Sequence, residues 1–180
     1  MKEIRSPIPR PMIRRVVDDD LKRELFRIVC YFHASASLSS PENQVGRIPV
    51  LQLLAEDNQE SEIVSSLLNV AMRIRLLDEQ LWDKSDEIKR NFTYKTGLLW
   101  ESEATSKVND LSVREACNKI IHASDIGFFV DESKYDTDVL SPRYLLPRIS
   151  LYGNRGRSPW RAEVSVDEFI EASYWISRYV

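Results

Sequence analysis

Leu111-Ser-Val-Arg-Glu-Ala-Cys-Asn-Lys-Ile-Ile-His-Ala123 is the stretch on which the reading of this chain turns. Ser112 followed three residues later by Glu115 has the form of a capping box, in which hydroxyl and carboxylate satisfy the first amides of a helix. Val113, Ala116, Cys117, Ile120 and Ile121 then keep the i, i+3, i+4, i+7 rhythm of an amphipathic helix. At about 100° per residue, Arg114, Asn118 and His122 drift only about 40° at each four-residue step, so they share one stripe. A guanidinium, an amide and an imidazole together suit an anion such as RNA phosphate, with His122 able to move a proton. The same stripe also fits a solvated polar edge.

Working outward, the 180-residue length predicts one domain, and the net charge of −3 calls for no polyanion by itself. No apolar run approaches the roughly 18 residues of a membrane span, and the N-terminus has no signal-peptide core. Two cysteines outside any framework spacing fit a reducing cytoplasm. Five glycines form neither a dinucleotide fingerprint nor a phosphate loop, and there is no nucleophile elbow. No cofactor is expected. The pairs Cys30/His33 and Cys117/His122 could meet around zinc only if their helices pack together, and their spacing is not that of a zinc knuckle, so no metal is expected either.

Residues 1–17 carry Pro7, Pro9 and Pro11 among five cations and a single acid, and predict an extended basic arm. Leu21, Leu25, Phe26, Ile28, Val29 and Phe32 give a helix over 18–35 after the acidic start Asp18-Asp-Asp20. Pro49 opens a short helix over 48–55. A long helix over 60–89 follows, with Arg75 placed to pair with Asp78 or Glu79. Residues 90–110 are polar and irregular apart from Leu98-Leu-Trp100, and predict a surface excursion.

Beyond the motif helix, Gly127-Phe-Phe-Val130 reads as a short strand or edge segment. Arg148–Tyr152 and Trp160–Val166 alternate in period two, with Ile149 and Leu151 opposite Trp160, Ala162 and Val164, and predict a hairpin with a long loop. Asp167 is placed to cap a final helix. The expected fold is mainly α: a helical domain over 18–180 with a small C-terminal β-hairpin at about 143–166 and a last helix.

Between Val139 and Ala162 stand five arginines, Arg143, Arg148, Arg155, Arg157 and Arg161, and no acid. Tyr144, Tyr152 and Trp160 are interleaved. Arginine grips phosphate and stacks on bases, and aromatic rings add sequence-tolerant stacking, so these arginines and Trp160 are the candidate nucleic-acid residues. The alternative is an arginine-rich hairpin that pairs with the acids at 131–138 or of the long helix, with Trp160 in the core.

Asn118-Lys-Ile-Ile-His122 resembles the end of the Arg-Asn-x-x-x-His motif of the HEPN superfamily, and Ser66–Glu79 is similar to the helix that partners the motif helix in such domains. The resemblance spans roughly residues 18–125. It implies a helical bundle of the kind found in toxin and defence systems, many of them metal-independent RNases acting at the 2′-hydroxyl. It also implies a homodimer with motif helices facing across the two-fold. Asn118 and His122 match, whereas the arginine position is Cys117 and the nearest arginine is Arg114. Two expectations stay open. In one, the protein engages RNA and cleaves it without metal, His122 moving the proton while Arg114 and Asn118 hold the phosphate. In the other, it is a non-catalytic module with a cognate protein partner, and the motif serves structure alone.

Overall fold

The computed structural model describes residues 13–39, 49–81, 86–101, 108–131, 144–156 and 158–179, with backbone alone at 13–19, 36–39, 49–53 and 55–56. In chain order the elements are α1 (Ile13–Ser39), α2 (Pro49–Leu81), α3 (Asp86–Phe92), β1 (Lys95–Trp100), β2 (Asn109–Ser112), α4 (Val113–His122), β3 (Asp125–Val130), β4 (Leu145–Arg155), β5 (Ser158–Ser165) and α5 (Val166–Ser177).

The strands form one antiparallel sheet in the order β2-β1-β5-β4-β3. The expectation of a mainly helical bundle with a small hairpin is therefore corrected: this is an α+β fold, and the hairpin is the centre of a five-stranded sheet. The segment read as an irregular excursion over 90–110 supplies two of the strands, β1 and β2. Its β-signal is weak because β2 is only four residues long and β1 carries a glycine. That glycine is required. A Cβ at Gly97 would overlap the Glu163 carbonyl of β5, so only a hydrogen lets the two strands close.

The hairpin register is the expected one, with Ile149 beside Val164 and Leu151 beside Ala162. The strands run further than expected, to Arg155 beside Ser158, and Gly156 takes the turn at φ 64°, a conformation open to glycine. Pairs across the sheet then define two faces. Val164, Ile149, Leu99, Ala162, Leu151 and Trp160 point to the helices and are buried.

On the helical side, the two helices expected over 48–55 and 60–89 are one 33-residue helix, α2, which begins at Pro49, followed by α3. The first helix also extends beyond its expected bounds of 18–35 and takes in the last residues assigned to the arm, while Pro7, Pro9 and Pro11 lie outside the described residues. Leu21, Leu25, Ile28 and Phe32 of α1 meet Ile63, Leu67, Val70, Ile74 and Leu77 of α2 in one core. Phe26, expected in that face, is 67% exposed. The last helix starts from Ser165, whose hydroxyl accepts from the Glu168 amide, rather than from Asp167. Ser35 Oγ accepts the Leu145 amide at 2.6 Å in the interior and ties α1 to the start of β4.

Candidate functional site

The motif helix is held at both ends. The Ser112 hydroxyl accepts from the Glu115 amide at 3.3 Å, as the capping box requires, and the Val113 amide donates to the Tyr94 carbonyl at 2.9 Å. The Glu115 carboxylate instead accepts from Asn118 Nδ2 at 3.3 Å and pairs with Lys119 at 3.4 Å. At the far end the Ser124 amide donates to the Tyr152 carbonyl at 2.8 Å, so α4 is anchored to β4 directly after His122.

Across the seam with α2, Asp78 is only 1% exposed. Its Oδ2 receives both Arg75 Nη1 and Arg114 Nε, the latter at 3.0 Å, and Arg75 also reaches Glu79 at 3.9 Å. Helical spacing places Arg75 with these acids. Nothing in the sequence signals that Arg114 joins them. Oδ1 of Asp78 has no hydrogen-bond partner among the described residues.

Cys117, at the arginine position of the HEPN motif, is fully buried beside this cluster, and burial pushes its thiol well above the ordinary range. It can serve neither as a cation nor as a thiolate. Asn118 is half-buried and bonded within its own helix, and His122 is exposed at the last turn. The expected stripe therefore exists, but its arginine is drawn inward onto a buried carboxylate. Cys30 is exposed and Cys117 buried, so the two thiols considered for zinc do not share an environment, and no group of metal-ligating side chains is found among the described residues.

The candidate nucleic-acid residues divide between the two faces of the sheet. Trp160 is 5% exposed on the inner face, under the Lys119 ammonium 4.3 Å from its ring centroid, so it is a core residue rather than a stacking surface. The burial follows from register: Trp160 lies opposite Gly153, whose missing Cβ leaves the space that the indole fills. Arg143 and Arg157 lie outside the described residues, and Arg155 is exposed at the end of β4.

Arg148 and Arg161 are on the outer face. There, a cross-strand row runs Trp100, Arg161, Tyr152, Asp125. The Arg161 guanidinium sits 5.1 Å from the Trp100 ring centroid and 6.0 Å from that of Tyr152, between two aromatic rings. In the neighbouring row, Glu163 takes Arg161 in a hydrogen bond and reaches Arg148 at 3.9 Å, while Arg148 lies 5.5 Å from the Phe129 ring centroid. The acid beside Arg148 and Arg161 is thus Glu163 of β5 itself, rather than one of the long helix, while residues 132–138 lie outside the described residues.

Trp100 and Phe129 are functional candidates that the sequence does not single out. The alternation in β5 places Arg161 on the solvent side, but no local pattern says that β1 and β3 bring aromatic rings beside the arginines. No helix among the described residues is long and apolar enough to cross a membrane. No protein-family model, no curated protein and no solved structure matches the chain.

Proposed function

We propose that this protein engages single-stranded RNA through the outer face of its sheet, with the motif helix serving as structure. The observation that carries the reading is the placement of the Arg161 guanidinium beside the rings of both Trp100 and Tyr152, on a strand surface whose opposite face in β4 and β5 packs on the core. Aromatic side chains on an antiparallel sheet offer flat surfaces to unstacked bases, and arginine adds both a planar group for stacking and donors for phosphate. Arg148 beside Phe129 extends the pattern along the face, and Glu163 holds both guanidinium groups while leaving the three-residue cluster with one net positive charge.

RNA is favoured as the ligand by the resemblance of Asn118 and His122 to the HEPN motif. Cleavage is not favoured, because Arg114 is engaged by Asp78 and position 117 supplies no cation.

The test is binding of a fluorescent single-stranded RNA by the full chain over a range of salt concentrations, with cleavage followed in EDTA. Loss of affinity in Arg161→Ala and Tyr152→Ala, with no cleavage in wild type, is the expected result. Cleavage that disappears in His122→Ala would move the activity to the motif helix. Neither binding nor cleavage would overturn the RNA reading and leave a protein partner in its place.

A further inference from the structure

The two margins of the sheet are unlike. At one margin β2 is four residues long, and Lys95 of its neighbour β1 pairs with Asp110 at 2.7 Å, so the edge is short and charged. At the other margin β3 presents Asp125-Ile-Gly-Phe-Phe-Val130, six residues with no lysine, no proline and one acid, and among the described residues no strand pairs with its outer side. The β3–β4 ladder is regular from Asp125 to Phe128 and shifts register only between Phe128 and Val130, and an apolar edge of this kind is a template for another strand unless something covers it.

We infer that β3 pairs antiparallel with β3 of a second copy of this chain, about a two-fold axis through Gly127, joining two five-stranded sheets into one. Three features select a second copy and this register. The first is side-chain parity. With Gly127 facing its own copy, Ile126 lies opposite the partner copy's Phe128 on the inner face, and the reciprocal pair is identical, as a closed two-fold contact demands. These side chains stand beside an open groove whose apolar wall is Val64, Leu68 and Ile121, with Glu60, Ser61 and Ser65 also lining it, and the added pair would cover that apolar wall.

The second feature is charge. The same register sets Asp125 opposite the partner copy's Phe129, the residue over which Arg148 lies. Arg148 is 60% exposed along its side chain, and its intrachain carboxylate is 3.9 Å away, so each Asp125 meets the Arg148 guanidinium of the other copy, and the two-fold axis makes that pair twice. A register centred one residue later on Phe128 sets Asp125 against Asp131 and is opposed by like charge.

The third feature is the backbone. The Ile126 amide is taken by Asp125 Oδ1 at 2.9 Å rather than by a strand. Pairing gives that amide the Phe128 carbonyl of the other copy and releases the carboxylate toward Arg148. The inference does not depend on what the outer face binds.

The axis makes a direct test available. Gly127 has ordinary contact room for a Cβ, with Ser150 Cβ at 3.7 Å as the nearest atom. Cysteines placed there on two copies would face each other at disulfide distance. In a Cys30→Ser background, Gly127→Cys is expected to cross-link on mild oxidation, while the background alone is not. Sedimentation of the wild-type chain is expected to give a dimer, lost in Asp125→Arg and in Arg148→Asp and restored in the double reversal. Circular dichroism of each variant verifies that it is folded. A wild-type chain that stays monomeric, a dimer that does not cross-link at position 127, or a dimer that survives both single reversals would each overturn the proposal.

Discussion

Arg114 Nε lies 3.0 Å from Oδ2 of Asp78, a carboxylate that α2 carries almost wholly out of water, so the motif helix is bolted to the long helix by an ion pair. Removing one partner of a buried pair leaves the other uncompensated. Asp78→Ala removes the buried carboxylate that Arg75 and Arg114 share, while both guanidinium groups keep access to water, and is expected to cost about 1.5–3 kcal/mol. Arg114→Ala should cost distinctly less, because Arg75 still neutralises Asp78. Urea unfolding of the two variants measures the difference, and equal losses would contradict this account.

Cys117 makes stability depend on pH at the alkaline end. Its thiol is raised from an ordinary value of 9.0 by burial, so above that pH the unfolded chain releases a proton that the folded chain retains. The folded state then binds more protons, and stability falls as pH rises, by about 1 kcal/mol between pH 9 and 10 for one such group. Thermal unfolding between pH 9 and 10 should show this slope, and Cys117→Ala should flatten it. Tyr31, also raised, chiefly by burial and then by its hydrogen bond to Glu62, adds its own loss only above its ordinary value of 10.0.

The same burial predicts a difference in reactivity. A water-soluble disulfide reagent should modify Cys30 in the folded protein and reach Cys117 only in denaturant. Two thiols reacting at equal rates in native buffer would contradict the burial of α4.

Glycine 153 is a packing requirement rather than a loop residue. A Cβ there would overlap the Trp160 ring and come within 3.0 Å of the His122 carbonyl, so Gly153→Ala is expected to cost about 1–3 kcal/mol by overpacking. Its near-ultraviolet circular dichroism should change as the indole moves. A neutral result would mean that β4 and the end of α4 separate easily.

If the outer face binds RNA, Glu163 opposes it. Glu163→Gln removes the one carboxylate shared by Arg148 and Arg161, and should tighten RNA binding and steepen its salt dependence. Trp160→Ala, by contrast, should lower stability by about 3–5 kcal/mol as a core truncation, with RNA affinity unchanged while the protein remains folded. Weaker binding in Glu163→Gln would show that the carboxylate's orienting role outweighs its charge.

Elements encoded within a few residues are legible in the sequence alone. Ser112 and Glu115 mark the start of α4, the apolar spacing fixes the face that it buries, and alternation in 148–152 and 160–166 sets both the β4–β5 register and the choice of Ile149, Leu151 and Val164 as core. The Arg75–Asp78 pair also follows from spacing alone. The site is less legible. The stripe of Arg114, Asn118 and His122 is visible, but not the carboxylate from α2 that withdraws Arg114, because Asp78 lies 36 positions away in the chain and its burial is set by packing.

The information legible along the chain is therefore local: where α4 starts, how one hairpin is registered, and that the chain has a polar stripe and an arginine-rich segment, while the bounds of the other helices are not. What only the tertiary structure decided was the five-stranded sheet and the chemistry of its faces. Gly97 pairs with Val164 and Phe128 with Ile149, contacts between distant segments that no local pattern specifies. Trp160 shares the parity of Ala162 and Val164, but the room for its indole comes from Gly153 across the strand, and pairing of Trp100 and Tyr152 with Arg161 made the outer face what it is.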